Sequence, residues 1–230
     1  MVELIFIHLP KTGGSSMLQT LIDVYGEEHV HHFERDDCLN LKEKGKRISD
    51  VISKQTKVIH GHFYFEEISD IFQRDQSKLV TFMRSPVDRV ISNFNWWKHS
   101  LKNKDTQEAR ERRNEGIETY ITKPLTRNKM ARFLEGVNME QFFYIGFLES
   151  IQNDIEELSR KLEWSQASIY HEKKINEGKS PEQLYSAALL NKIKKLNQKD
   201  EKVYQSALKV FKNKKEDQKR KSLFRFRLKT

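Results

Sequence analysis

The sequence predicts an α/β fold, with a mainly parallel central sheet flanked by helices. Three observations predict it. A wholly apolar run, Leu4-Ile5-Phe6-Ile7, ends at Pro10 and Gly13-Gly14; an apolar face at helical spacing follows at once; and short apolar runs alternate with helical periodicity further along. A run without polar alternation suits a strand buried on both faces, the usual state of a parallel strand. At 230 residues one domain is the default. Residues 1–211 read as that domain and 212–230 as a basic tail.

In chain order, Leu4 to Ile7 is the first strand. Met17, Leu18, Leu21, Ile22 and Tyr25 give the next helix its apolar face, with Ser15 or Ser16 as its cap. Lys57 to His60 and Leu79 to Met83 are short and rich in branched or apolar residues, so they read as two more strands. Ser85-Pro86-Val87-Asp88 then supplies a cap residue, a proline at the first helical position and an acid at the third, which predicts a helix from Pro86 to about Ser100. Lys102 to Asn114 is a polar stretch. Phe142 to Phe147 is a fourth strand, and Ile151, Ile155, Leu158 and Leu162 mark an amphipathic helix. Ser180-Pro181-Glu182-Gln183 repeats the helix-start signal. Two closing helices follow, through Leu184, Ala188, Ile193 and Leu196, then through Val203, Tyr204, Ala207, Leu208 and Phe211. An open sheet of this kind places its ligand beyond the carboxyl ends of the strands, so the residues just after each strand are the site candidates.

Composition narrows the function classes. The formal charge of +9 invites a nucleic-acid reading, but residues 212–230 carry +7 of it and the body is nearly balanced. No nucleic-acid partner is therefore expected. The tail sets Leu223, Phe224, Phe226 and Leu228 among lysines and arginines, a pattern suited to weak contact with an anionic surface. Cys38 is the only cysteine, so no intrachain disulfide can form. The first apolar run is too short for a targeting or membrane segment, and a cytoplasmic location is the expectation.

Three motifs carry chemistry. Pro10-Lys11-Thr12-Gly13-Gly14-Ser15-Ser16 lies between a strand and a helix, where backbone N–H groups and the helix dipole can hold a phosphate. A nucleoside-triphosphate kinase would end such a loop in Gly-Lys-Ser/Thr so that the hydroxyl meets magnesium; here the lysine precedes the glycines. Arg84-Ser85-Pro86-Val87-Asp88-Arg89-Val90-Ile91-Ser92 straddles the end of a strand and the start of a helix. On a helical wheel Val87, Val90, Ile91 and Phe94 form the buried arc, leaving Ser92 on the flank with Asp88. An arginine fork at the strand end suits a phosphate dianion. His60-Gly61-His62 closes the strand placed between these two sites. No cysteine or third histidine stands at ligand spacing nearby in sequence, which argues against a metal pair.

The order Lys-Thr-Gly-Gly-Ser-Ser after the first strand resembles the 5′-phosphosulfate loop of the sulfotransferases that use 3′-phosphoadenosine 5′-phosphosulfate (PAPS). Arg84 and Ser92 resemble their 3′-phosphate motif, and His60-Gly61-His62 is similar to the His-Gly-His stretch of the heparan and uronyl 2-O-sulfotransferases. The resemblance implies a P-loop-like nucleotide-binding sulfotransferase fold. It implies PAPS as donor, 3′-phosphoadenosine 5′-phosphate (PAP) as product, no metal, and a carbohydrate or other hydroxyl-bearing acceptor. Lys11, Thr12, Gly13, Gly14, Ser15 and Ser16 would then cradle the 5′ end, with Lys11 also catalytic, and Arg84 and Ser92 would hold the 3′ end. His62 would be the general base and His60 its neighbour in the active site. Similarity continues more weakly through Phe143 to Glu149 and Leu196 to Phe211. His171 to Asn176 looks like the family's late basic loop, which would bring Lys174 to the nucleotide and Lys173 to the acceptor, although the relatives have Arg and Thr where Lys173 and Ile175 stand. Arg110, Arg112 and Arg113 lie where the animal enzymes meet an acidic sugar; interleaved with Glu108 and Glu111, they equally fit a solvated polar segment. Lacking the paired cysteines and membrane anchor of the Golgi enzymes, the chain looks like a bacterial or viral relative. The rivals are a magnesium-dependent kinase and a non-catalytic binder of polyanions or membrane surfaces acting through the tail.

Overall fold

The structure, a computed structural model, describes residues 1–164 and 180–211. Five strands make one sheet: β1 (Leu4–Ile7), β2 (Val30–Phe33), β3 (Val58–Gly61), β4 (Lys78–Met83) and β5 (Tyr144–Phe147). Their order is β2-β3-β1-β4-β5 and every described pairing is parallel. The helices are α1 (Gly14–Tyr25), α2 (Arg35–Glu43), α3 (Ser69–Asp75), α4 (Pro86–Ser100), α5 (Gln107–Asn114), α6 (Ile117–Tyr120), α7 (Lys129–Phe133), α8 (Ile151–Lys161), α9 (Pro181–Leu184) and α10 (Ala187–Leu196). A last helix, α11, covers 198–211. Among the described residues no helix is long and apolar enough to cross a membrane.

Strand periodicity divides the core into two layers. Leu4, Phe6, Val58, Val80 and Phe82 face Met17 and Leu21 of α1 and Ile155 and Leu158 of α8. Ile5, Ile7, Ile59, Leu79 and Met83 face the opposite layer, where Ile71 of α3, Met130 and Phe133 of α7 and Ala207 of α11 pack. β1 is thus covered on both sides, as its unbroken apolar run requires. The chain leaves β1 toward β2 on one side and leaves β4 toward β5 on the other. The crevice between the carboxyl ends of β1 and β4 is the topological switch point where open α/β sheets bind ligands.

Several expectations need correction. β2, Val30-His31-His32-Phe33, is a strand that the apolar pattern did not reveal; it is the edge strand beside β3, and only Phe33 is buried. Neither Ser15 nor Ser16 caps α1: the N-cap position is Gly13, with no side-chain cap. The Lys102 to Asn114 stretch contains α5, capped by Thr106, whose hydroxyl accepts from the Ala109 N–H at 3.2 Å. The helix signalled at Ser180-Pro181 lasts one turn. A second start follows at Ser186, whose hydroxyl accepts from the Leu189 N–H at 3.3 Å. The basic tail and the late basic loop with Lys173 and Lys174 lie outside the described residues.

Behind the sheet, α4 and α11 are joined by an ion pair with no solvent exposure on either side chain, Arg89 Nη2 to Asp200 Oδ2 at 3.5 Å. Burial pushes the Asp200 carboxyl up and the Arg89 guanidinium down, and each offsets the other. Asp200 Oδ1 also accepts the Ala131 N–H at 2.9 Å, which fixes α7 to the same pair. Removing one partner strands a buried charge, a loss of about 3–5 kcal/mol. Asp200→Ala should therefore lower unfolding free energy in urea by about that much, whereas Arg89→Met combined with Asp200→Leu should recover most of it. A single substitution costing under about 1 kcal/mol would show that the pair carries little of the packing.

Candidate active site at the strand ends

The loop after β1 is built for close backbone approach. Lys11 is left-handed at φ 72, a conformation rare outside glycine. Buried Thr12 donates its hydroxyl hydrogen to the Leu9 carbonyl at 2.8 Å, which tightens the turn. A Cβ at Gly14 would lie 1.9 Å from the His8 ring, so only glycine lets α1 begin against that imidazole. No side chain caps α1 and no acid stands in its first turn. Its leading N–H groups, which no helix can satisfy internally, are thus left for an anion. The Lys11 ammonium lies 5.3 Å from the centre of the Trp96 ring.

β3 delivers the histidines. His62 Nδ1 is 2.7 Å from the His8 carbonyl. A carbonyl can only accept, so Nδ1 carries the hydrogen, and in the neutral ring Nε2 is left as the basic nitrogen. Glu34 Oε2 stands 3.9 Å from that Nε2. Burial lowers the His62 pKa, while Glu34 and the His8 carbonyl act the other way. His60, fully buried, donates from Nε2 to the Gly14 carbonyl at 3.1 Å and meets His32 Nδ1 through its own Nδ1 at 2.9 Å. His32 Nε2 lies 3.0 Å from Glu34 Oε1. Glu34 therefore bridges His32 and His62, and the chain of contacts continues through His60 to the first residue of α1. Gly61 makes the assembly possible: with φ 157, a Cβ there would lie 2.2 Å from the Phe33 carbonyl oxygen. His8 stacks on His62 with ring centres 4.0 Å apart, and burial holds its pKa well below the usual 6.5. Among the described residues no group of three or more His, Cys, Asp or Glu is arranged to hold a metal ion.

β4 delivers Arg84. Burial lowers its pKa against the pull of Asp88 and Glu149, and its guanidinium makes no hydrogen bond or ion pair with a described residue. Glu149 instead accepts the Ser85 N–H at 2.7 Å, holding β5's exit against the start of α4. Val90, Ile91 and Phe94 are buried while Ser92 and Asp88 stay half-exposed on the flank. Ser92 and Trp96 are four residues apart on one face of α4, so the Trp96 contact with Lys11 ties this helix to the first loop. A cavity of about 290 Å³ opens at the start of α4, lined by Ser85, Pro86, Asp88, Glu182, Lys194 and Tyr204; its walls include neither Lys11 nor His62.

The strands thus bring Lys11, Thr12, Gly13, Gly14, Ser15, Ser16, His60, His62 and Arg84 to one edge of the sheet. The α5 arginines are committed locally. Arg110 pairs with Asp105 at 2.9 Å and Arg112 with Glu108 at 2.6 Å. Arg113 donates to the carbonyls of Leu101 and Lys104 at 2.5 and 2.7 Å. Sequence reading missed His8, His32, Glu34 and Trp96. The first three belong to other strand ends and carry no local spacing signal; Trp96, 42% exposed at a helical position, could have been noticed from its i+4 relation to Ser92.

Residues 2–213 match the sulfotransferase family. The chain belongs to that family. No curated protein matches the sequence. Among solved structures, the chain resembles mouse sulfotransferase SULT7A1 in complex with PAP, at 15% identity and a TM-score of 0.40, over 73% of this chain and 60% of the mouse chain. It also resembles a sulfotransferase from Alicyclobacillus acidocaldarius, at 15% identity and a TM-score of 0.42, over 84% of this chain and 93% of the other. The chain thus spans 60% of the mouse chain's length.

The Glu34 bridge makes a measurable difference to His62. A carboxylate beside Nε2 favours the imidazolium, so removing its charge lowers the pKa. In an NMR titration the wild-type His62 ring should titrate below its ordinary 6.5, and in Glu34→Gln lower still. An unchanged or higher midpoint in the variant would remove Glu34 from the account.

Proposed function

We propose that this protein transfers a sulfuryl group from PAPS to an acceptor hydroxyl on a carbohydrate, with His62 as general base. One observation carries the reading: the His8 carbonyl holds the hydrogen of His62 Nδ1 at 2.7 Å, which presents a basic Nε2 at the strand end adjoining the uncapped start of α1. A base and an anion site side by side are what group transfer to a hydroxyl needs. The acceptor oxygen attacks sulfur as its proton passes to Nε2, the bond from sulfur to the 5′-phosphate oxygen breaks, and PAP leaves with that electron pair. Lys11 and the first N–H groups of α1 meet the charge that builds on the sulfuryl and phosphate oxygens. Arg84 and Ser92 take the 3′-phosphate, whose dianion suits a guanidinium left without a carboxylate partner. The His-Gly-His stretch at 60–62 supports an acceptor of the carbohydrate 2-O type.

Transfer of label from radioactive PAPS to a panel of glycans tests the reading. His62→Ala should lower turnover by roughly 10²–10⁴-fold, the usual contribution of a positioned base, with PAP affinity unchanged. His60→Ala should do less to the chemical step and more to stability, since His60 bonds the Gly14 carbonyl. Near-normal turnover by His62→Ala would refute the base assignment, and loss of PAP binding would move His62 to the donor site.

A further inference from the structure

The start of α7 contributes a cation to this site that neither the motifs nor the reaction described above employ. α7 lies against His62: the Phe133 ring meets the His62 ring edge-on at 6.3 Å and the Tyr64 ring at 5.0 Å. Lys129, one turn before Phe133, projects from the same face of this short helix, and its charge acts on His62. The backbone carrying it is firmly held. The Asn128 N–H donates to Asn197 Oδ1 at 2.9 Å, Asn128 Oδ1 accepts the Lys199 N–H at 3.1 Å, and the Ala131 N–H reaches buried Asp200.

Nothing described neutralises this ammonium. The charges that act on it are those of Arg89 and Arg132, both positive, and no carboxylate among the described residues pairs with it. Arg132 is occupied with the Leu125 and Arg127 carbonyls, and Arg89 with Asp200. Burial and the two guanidinium groups push Lys129 down to about 8. A half-buried cation held rigidly beside the base, with only like charges around it, is complementary to an anion that arrives with the ligand.

We propose that Lys129 is the anion-binding residue of the acceptor site, seating a carboxylate or sulfate that the acceptor carries close to the hydroxyl His62 deprotonates. The inference rests on the proposed function, and it narrows the acceptor to acidic sugars. α7 packs on the face of the sheet opposite α1 and meets His62 through Phe133, whereas Lys11, α1 and Arg84 are assigned to the donor.

The test is calorimetry on the PAP-loaded protein with a uronate-containing hexasaccharide and with the same hexasaccharide after carboxyl reduction. Wild type should bind the carboxylated form at least about tenfold more tightly, the scale of one charge-assisted hydrogen bond. Lys129→Met should abolish that preference, Lys129→Arg should keep most of it, and PAP should stabilise all three proteins equally against heat. A wild type without the preference, or a Lys129→Met protein that retains it, would overturn the proposal. Loss of PAP stabilisation in Lys129→Met would also overturn it, by assigning Lys129 to the donor sulfuryl group. None of these outcomes depends on turnover, so a failure of the His62 assignment would be seen separately.

Discussion

The site depends on the position of β1 at the middle of a parallel sheet. Ile7 pairs level with Gly61 of β3 on one side and with Thr81 of β4 on the other. The His8 N–H donates to the Gly61 carbonyl at 2.8 Å and the Thr81 hydroxyl to the Ile7 carbonyl at 2.8 Å, which locks the three ends together. Parallel pairing puts every carboxyl end on one edge, so the glycine loop, the histidines and Arg84 must share it. A one-residue slip of β3 would turn His60 and Gly61 to the wrong faces and drive a side chain into the Phe33 backbone.

The electrostatics follow from that placement. His8 and His60 are buried against the sheet and kept neutral by desolvation, so the histidine cluster can be dense without strong mutual repulsion. Glu34, at the half-open edge, is the one carboxylate among the described residues that touches it, through His32 at 3.0 Å and His62 at 3.9 Å. The cations Arg84 and Lys129 reach the same edge from different elements, and among the described residues neither is paired with a carboxylate; Glu149, near Arg84, accepts the Ser85 N–H. Two cations at one edge without a paired carboxylate among the described residues suit an anionic ligand. Its rigidity comes from behind, where the buried Arg89–Asp200 pair links α4, α7 and α11.

Much of this was legible in the sequence, for physical reasons. β1, β3 and β4 announce themselves because central parallel strands must be apolar throughout, and the glycine loop and Arg84 stand directly after two of them. β2 was not legible: it is an edge strand, so Val30, His31 and His32 are only half-buried and show no core pattern. The capping of α1 was misread because Ser15 and Ser16 have the right chemistry for a cap, yet the helix starts at Gly14 and leaves its N–H groups uncovered. The His8–His32–Glu34 part of the cluster was invisible because His8 stands more than twenty residues before His32 and Glu34, and these in turn stand more than twenty before His60 and His62, so that they meet only through strand register. α5 hid in a charged stretch because Ala109 is its single buried residue.

In the proposed reaction the ends of β1 and β4 together measure a nucleotide phosphorylated at both the 3′ and 5′ positions of its ribose. Calorimetric comparison of PAP with AMP isolates it, since the two differ only in the 3′-phosphate. PAP should bind at least about tenfold more tightly, the scale of a charge-assisted contact between arginine and phosphate, and Arg84→Ala should erase the difference while leaving AMP affinity as it was. Equal affinities in the wild type, or a preference for PAP that survives Arg84→Ala, would contradict it.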